Sequence, residues 1–228
     1  MSTQDTAVGF TAVASDARWG EQQLVAELRA GSVEAFNYLI AVYHQPLYRF
    51  VARIVTDAED GADILQDIFL KVFRSAANFE GKSSLKTWLY QIALHEASNH
   101  RRWWRRHKRQ ETSMDEEDEH GLSWASRLPD GKESPLGQAM RRETQLRLRR
   151  AMAAVPEPFH AVLLLREIEG FSYDEIAEVT QVKVGTVKSR LLRGREMLRQ
   201  ALLRDRAAAE NAGARSQLAW NAGSVSDV

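Results

Sequence analysis

One stretch of 27 residues, 169–195, EGFSYDEIAEVTQVKVGTVKSRLLRGR, constrains what this chain can fold into more than any other. Ser172 followed three residues later by Glu175 has the spacing of a capping box, in which hydroxyl and carboxylate each satisfy a backbone N–H at a helix start. Ile176, Ala177 and Val179 give the short helix that follows an apolar side. A turn at Gln181 and Val182 leads into a second helix. At about 100° per residue, its Val184, Val187, Leu191, Leu198 and Leu202 fall on one stripe. Thr186, Ser189, Arg190 and Arg193 project to the opposite side, with Lys188, Arg195 and Arg199 on the flanks. Two helices joined by so short a turn are the outline of a helix-turn-helix. The small hydroxyls permit close approach to a groove and the guanidiniums reach phosphates or guanine edges, while flanking cations suit the phosphate backbone. A solvated basic face on an amphipathic helix is the plain alternative, and the capped helix and tight turn just before it favour DNA. Gly194, which costs on the order of 1 kcal/mol relative to Ala in mid-helix, lies at the edge of the packing stripe.

The charge pattern extends the same idea to the rest of the chain. The 31 basic and 31 acidic residues cancel overall. Locally they do not: residues 21–110 carry 13 basic and 10 acidic side chains, 111–140 carry 2 and 8, and 141–206 carry 14 and 9. Two positive blocks flanking a negative bridge suit polyanion binding by both blocks. A length of 228 residues allows one large core or two small ones, and 44% hydrophobic with 27% charged residues fits a soluble globular protein. The absence of cysteine excludes disulfides, thiolate metal sites and cysteine nucleophiles, and fits a reducing compartment. The N-terminal residues lack the basic start and apolar core of a signal peptide, and the apolar runs are short, so a cytoplasmic protein with no membrane insertion is expected.

Helical periodicity dominates and no strand alternation persists, so the expected fold class is all-α: two small helical domains joined by a flexible acidic linker, the second a helix-turn-helix domain. The expected divisions are a flexible N-terminus at 1–20, a first domain at 21–110, a linker at 111–140, a second domain at 141–206 and a flexible tail at 207–228. Turn signals fall near Gly31, at 56–61 and at 78–84 in the first domain, and at Pro156, Pro158, Gly170 and Val182 in the second.

In the first domain, a helix beginning near Ser84 places Leu85, Trp88, Leu89, Ile92, Ala93 and Trp103 on one side, with Trp88 and Trp103 read as core. Tyr90, Gln91, Ser98, Arg101, Arg102 and Arg105 gather on another side, and aromatics beside arginines suit single-stranded or opened nucleic acid. Upstream, Ile64, Leu65, Ile68, Phe69 and Val72 face inward and leave Asp63, Gln66, Asp67, Leu70 and Arg74 outside. A largely acidic face around one exposed leucine repels DNA but can dock a protein. Two other signals fall away. His95 and His100 are five residues apart, unlike the one-turn spacing of a zinc-protease pair, and the GKSS at Gly81 lacks the first glycine of a phosphate loop.

The blocks AGSVEAFNYLIAVYHQPLYRFVARIVTDAEDGADILQDIFLKVFRSAANFEGKSSLKTWLYQIA and VPEPFHAVLLLREIEGFSYDEIAEVTQVKVGTVKSRLLRGREMLR, in that order and separated by a linker, resemble the two conserved domains of the extracytoplasmic-function sigma factors of bacterial RNA polymerase. The resemblance implies a sigma factor with no catalytic role and no cofactor. It implies docking of core RNA polymerase through Asp63, Gln66, Asp67 and Leu70. Recognition and opening of the minus-ten promoter element would fall to Phe79, Glu80, Gly81, Ser83, Trp88, Tyr90, His95, Ser98, Asn99, Arg101 and Arg102. Reading of the minus-thirty-five duplex would fall to Arg166, Thr186, Lys188, Ser189, Arg190 and Arg193. It further implies an anti-sigma partner. Glu80 and His95 depart from the residues common at those positions and bear on the minus-ten preference. The alternatives are a helix-turn-helix regulator that acts without polymerase and a helical adaptor protein.

Overall fold

The computed structural model describes residues 19–55, 59–111 and 135–223, and among them every element is helical. Most of the expected N-terminal segment, part of the turn at 56–61 and the linker from 112 to 134 lie outside the described residues. The helices form two compact units: α1 to α4 together with α7, and α5, α6 and α8.

In the first unit α1 is Glu21–Arg29, α2 is Val33–Ile54, α3 is Glu59–Ser75 and α4 is Leu85–Glu111. Ser32 caps α2 by accepting a hydrogen bond from the Ala35 N–H at 3.3 Å. Leu24 and Leu28 of α1, Leu39, Leu47, Phe50 and Val51 of α2, and Leu85, Leu89 and Ala93 of α4 supply the core. All five residues expected to face inward on α3, namely Ile64, Leu65, Ile68, Phe69 and Val72, are buried with them. The start of α4 is held from a distance in sequence: the Leu85 N–H donates to Glu21 Oε1 of α1 at 2.7 Å, and the Thr87 N–H donates to Ser84 Oγ at 3.0 Å. A carboxylate on exposed helix N–H groups gains from both hydrogen bonding and the helix dipole.

The short helix opened by Ser172, α7 (Tyr173–Thr180), has the expected capping box, with Ser172 N–H donating to Glu175 Oε2 at 2.8 Å and Glu175 N–H donating to Ser172 Oγ at 3.2 Å. Gln181 ends it in the left-handed region at φ 54°, and the Val182 N–H reaches back to the Ala177 carbonyl at 3.1 Å. This backbone reversal is the turn expected at Gln181 and Val182. Its packing was not expected. Sequence order assigns α7 to the second domain, yet it packs on α4 within the first unit.

The second unit holds α5 (Pro135–Ala153), α6 (Glu157–Leu163) running into a π-helical turn at Leu164–Ile168, and α8 (Val184–Gly223). Helix α5 therefore starts inside the span expected as linker. Pro156 precedes α6 and Pro158 sits in its first turn, where a missing N–H costs nothing. Val187, Leu191 and Ala201 of α8 are buried, whereas Leu202, expected inside, is exposed and Val184 and Leu198 are only half-buried. The buried Val187 and Ala201 are 14 residues apart, four turns at about 3.5 residues each, so the stripe meets Ala201 rather than Leu202. Gly194 meets the close neighbour that its position on the stripe invited: a Cβ there would stand 3.2 Å from Leu163 Cγ and 3.3 Å from Phe159 Cβ. Helix α8 continues to Gly223, so the expected flexible tail is helical over 207–223, consistent with its alanine-rich sequence.

Candidate nucleic-acid and partner surfaces

Along the first half of α8, the side facing away from Val187 and Leu191 carries Lys188, Ser189, Arg190 and Arg193. None of the three cations there has an acidic partner among the described residues. Ser189 Oγ donates to the Thr186 carbonyl at 2.9 Å, leaving the hydroxyl oxygen outward as an acceptor. Farther along, the cations are engaged. Arg195 donates from Nε and Nη2 to Glu167 Oε1 at 3.0 and 2.6 Å, and Arg199 donates to both carboxylate oxygens of Glu196 at 2.9 and 2.8 Å. The Arg199 hydrogen bonds, with a lesser one from Gln200, hold the Glu196 carboxyl at about 2, so the pair stays ionised at neutral pH. Arg195 and Arg199, expected on sequence grounds to reach phosphates, are thus tied to carboxylates. Arg166 is half-buried on the π-helical turn.

The loop before α4 turns at Gly81, whose φ of 73° is the left-handed conformation that glycine adopts without penalty. Glu80 and Lys82 form an exposed ion pair on either side of it. Phe79, expected among the residues that recognise and open the minus-ten element, is instead 7% exposed and stacked on Trp88 with ring centroids 4.6 Å apart. The loop aromatic pins the loop to α4 through Trp88. Tyr90, also expected on the nucleic-acid face, is 1% exposed, with Phe50 on one side and Phe171 on the other. Trp103 goes the opposite way: expected in the core, it is 54% exposed and stacked on His107 at 4.4 Å. Among the described residues of α4 beyond Ala97, none is buried to continue the stripe. The outer face of α4 keeps His95, Ser98, Asn99, Arg101 and Arg102 at least partly accessible. Arg102 Nη2 donates to Asn99 Oδ1 at 2.6 Å, Asn99 Nδ2 lies 3.1 Å from His95 Nδ1, and that nitrogen lies 3.0 Å from Glu96 Oε1. Lys71 of α3 donates to the same Glu96 oxygen at 2.5 Å. Burial pushes the Glu96 carboxyl up, but the hydrogen bonds from Lys71 and His95 outweigh it and hold the group below its ordinary value.

On α3, Asp63, Gln66, Asp67 and Leu70 are all exposed, as the period required. The single leucine is not alone, however. Leu70 (45% exposed) and Phe73 (56% exposed) line an apolar groove of about 410 Å³ with Phe36, Ile40 and His44 of α2 and Phe69 of α3. Phe36 and Phe73 meet edge to face at 5.1 Å across it, and His44 stacks on Phe69 at 6.3 Å. The α2 wall was missed because a single-helix projection cannot show which residues of another helix border its outer face. Phe73, three residues beyond Leu70, was within reach of that projection.

The family described as Sigma-70 region 2 matches residues 39–110, and the family described as Sigma-70, region 4, matches residues 145–198. The chain is 36% identical over 182 residues to the RNA polymerase sigma-H factor of Pseudomonas aeruginosa, covering 80% of this chain and 93% of that one. It is 33% identical to the ECF RNA polymerase sigma-E factor of Haemophilus influenzae, over 78% of this chain and 93% of the relative. This chain belongs to the extracytoplasmic-function sigma factors. As a sigma factor it directs RNA polymerase to promoters. Its fold is also that of CnrH solved with the cytosolic domain of CnrY (TM-score 0.57, 19% identity, covering 81% of this chain and 98% of that one). The sigma factor RpoE solved with the anti-sigma factor NepR from Bartonella quintana has the same fold (TM-score 0.58, 22% identity, covering 75% and 98%). Within this sigma factor, region 2 spans most of α2, α3 and nearly all of α4, and region 4 includes α7 and the first part of α8. Among the described residues no helix is long and apolar enough to cross a membrane.

Proposed function

We propose that this sigma factor divides its work among three surfaces. The α3 face of Asp63, Gln66, Asp67 and Leu70, widened by Phe73 and the groove beside it, docks core RNA polymerase. Glu80, Gly81, Ser83, Trp88, His95, Ser98, Asn99, Arg101 and Arg102 meet the minus-ten element, and Arg166, Thr186, Lys188, Ser189, Arg190 and Arg193 read the minus-thirty-five duplex. The observation that carries the reading is the first half of α8, where a row of cations without acidic partners among the described residues stands opposite a buried apolar stripe. Cations kept out of ion pairs are available to phosphates and guanine edges. Opening of the minus-ten element follows from differential binding: the protein stabilises the melted strand by holding bases and phosphates, with no catalytic step and no cofactor. Solved structures of the same fold in complex with CnrY and with an anti-sigma factor support an anti-sigma partner here too, acting on a cytoplasmic protein.

The test is transcription by purified core polymerase over a promoter library. Specific start sites that appear only with added protein, and that depend on both upstream elements, are expected. Tight binding to a two-fold symmetric site without polymerase would assign the chain to independent regulators instead.

A further inference from the structure

The geometry points to Glu96 of α4 as a positioning residue for minus-ten reading. It draws the His95 ring proton to Nδ1, so that Nε2 is presented as an acceptor and selects a base with an amino group over one with a carbonyl. The inference rests on the proposed assignment of His95 to the minus-ten element, and Glu96 belongs to none of the three surfaces proposed above.

Two neighbours compete for His95 Nδ1. Glu96 Oε1 stands 3.0 Å from it and Asn99 Nδ2 stands 3.1 Å from it. The carboxylate needs a hydrogen on that nitrogen, whereas an amide N–H needs a lone pair there. Asn99 cannot turn its amide round to resolve the conflict. Arg102 Nη2 lies 2.6 Å from Asn99 Oδ1, and a guanidinium has no acceptor, so the oxygen is fixed toward Arg102 and the Nδ2 hydrogens toward His95. Charge decides the contest, because a hydrogen bond to a carboxylate is roughly twice as strong as one between neutral groups. Glu96 is held in place for it from a separate helix: Lys71 of α3 donates to the same Oε1 at 2.5 Å. Burial opposes ionisation of Glu96, but the hydrogen bonds from Lys71 and His95 outweigh it and keep the carboxyl below its ordinary value.

With its Nδ1 proton given to Glu96, the neutral His95 ring keeps its lone pair on Nε2. Asn99 Nδ2 is 3.4 Å from Nε2, longer than a well-formed hydrogen bond, so a base can displace it. The ring is accessible for this: the His95 side chain is 59% exposed against 20% for Glu96. Adenine and cytosine present an amino group where guanine and thymine present a carbonyl oxygen. An acceptor at Nε2 therefore takes the first pair and repels the second. Without the carboxylate, Asn99 donates to Nδ1 at 3.1 Å, the proton moves to Nε2, and the same ring prefers a carbonyl. Glu96 acts through His95 and needs no contact with the base, yet it decides the sign of the preference.

The test uses the full chain with core polymerase on promoters that carry each base in turn at every minus-ten position. At the position His95 reads, initiation from adenine or cytosine should exceed that from guanine or thymine about fivefold, the scale of one net hydrogen bond. Glu96→Leu, which removes the acceptor with a side chain of similar size, should reverse that ratio. Glu96→Gln should preserve it, because Lys71, a donor only, holds the amide oxygen at the same point. The nitrogen chemical shifts of the His95 ring, identified by their loss in His95→Gln and recorded in mildly alkaline buffer, give a readout independent of transcription. The proton is expected on Nδ1 in the unmodified chain and in Glu96→Gln, and on Nε2 in Glu96→Leu. Initiation that falls evenly over the whole promoter set in Glu96→Leu, or a ring proton on Nε2 in the unmodified chain, would overturn the positioning role. A proton that moves as expected in a protein whose minus-ten preference is untouched by His95→Gln would uphold the link from Glu96 to His95 and overturn the assignment of His95 to minus-ten reading instead.

Discussion

The α2–α3 groove and the outer face of α8 are opposites in chemistry. The groove is apolar, with Leu70 and Phe73 exposed over a floor of aromatic rings and acidic residues at its margin. The α8 face is cationic, with Lys188, Arg190 and Arg193 in no ion pair among the described residues. An apolar anchor gains its energy from desolvation and is indifferent to salt, whereas phosphate contacts release counterions and weaken steeply as salt rises. On the proposed assignment, one chain would separate a salt-resistant attachment from a salt-sensitive reading function.

The largest effect that could break this contrast is at the groove. Leu70→Asp should cost about 2 kcal/mol or more in core polymerase affinity, the scale of a central hot spot, while far-UV circular dichroism stays unchanged. Normal association of the variant in pull-down titrations would remove the groove from the docking surface. Next, Arg190→Ala should lower minus-thirty-five selectivity by about 1–3 kcal/mol if the guanidinium meets a base edge. The measurement is the spread of initiation rates over upstream variants, and an unaltered spread takes Arg190 out of the reading set.

A smaller effect sharpens the contrast within α8 itself. Lys188→Ala should reduce the slope of log affinity against log salt by about 0.9, one phosphate contact. Arg199→Ala should change it much less, since Arg199 is already paired with Glu196. Equal slopes for the two variants would show that the ion pair opens on DNA. The smallest effect concerns the α7 cap. Hydrogen bonds from Ser172 hold the Glu175 carboxyl below its ordinary value of 4.5. A depressed carboxylate contributes stability that is present above its unfolded pKa and is lost as pH falls through the lower folded value. Stability should therefore drop in that acid window, and Glu175→Gln should flatten the drop while costing about 0.5 kcal/mol at neutral pH. Superimposable acid-unfolding curves for the two proteins would dismiss the cap as a contributor.

Much of this molecule was legible before any coordinates. The α3 period put five residues in the core and Asp63, Gln66, Asp67 and Leu70 outside, and each is where the period placed it. The capping box and the Gln181 turn were legible for the same reason: both are built from groups within a few residues of one another. Phe79, Tyr90 and Trp103 were misplaced because an aromatic ring on a helix flank goes wherever a distant element offers a surface.

The sequence by itself determined the helices, their ends, their apolar stripes and the separation of charge into two positive blocks, because those properties arise from interactions along one or two helical turns. Tertiary structure decided which cations of α8 are tied to carboxylates from other elements, since the Glu167 that engages Arg195 lies 28 residues away. It also joined α2 to α3 as one groove and brought Phe171 onto Tyr90. Such pairings depend on where separate helices come to rest, and no local periodicity encodes that position.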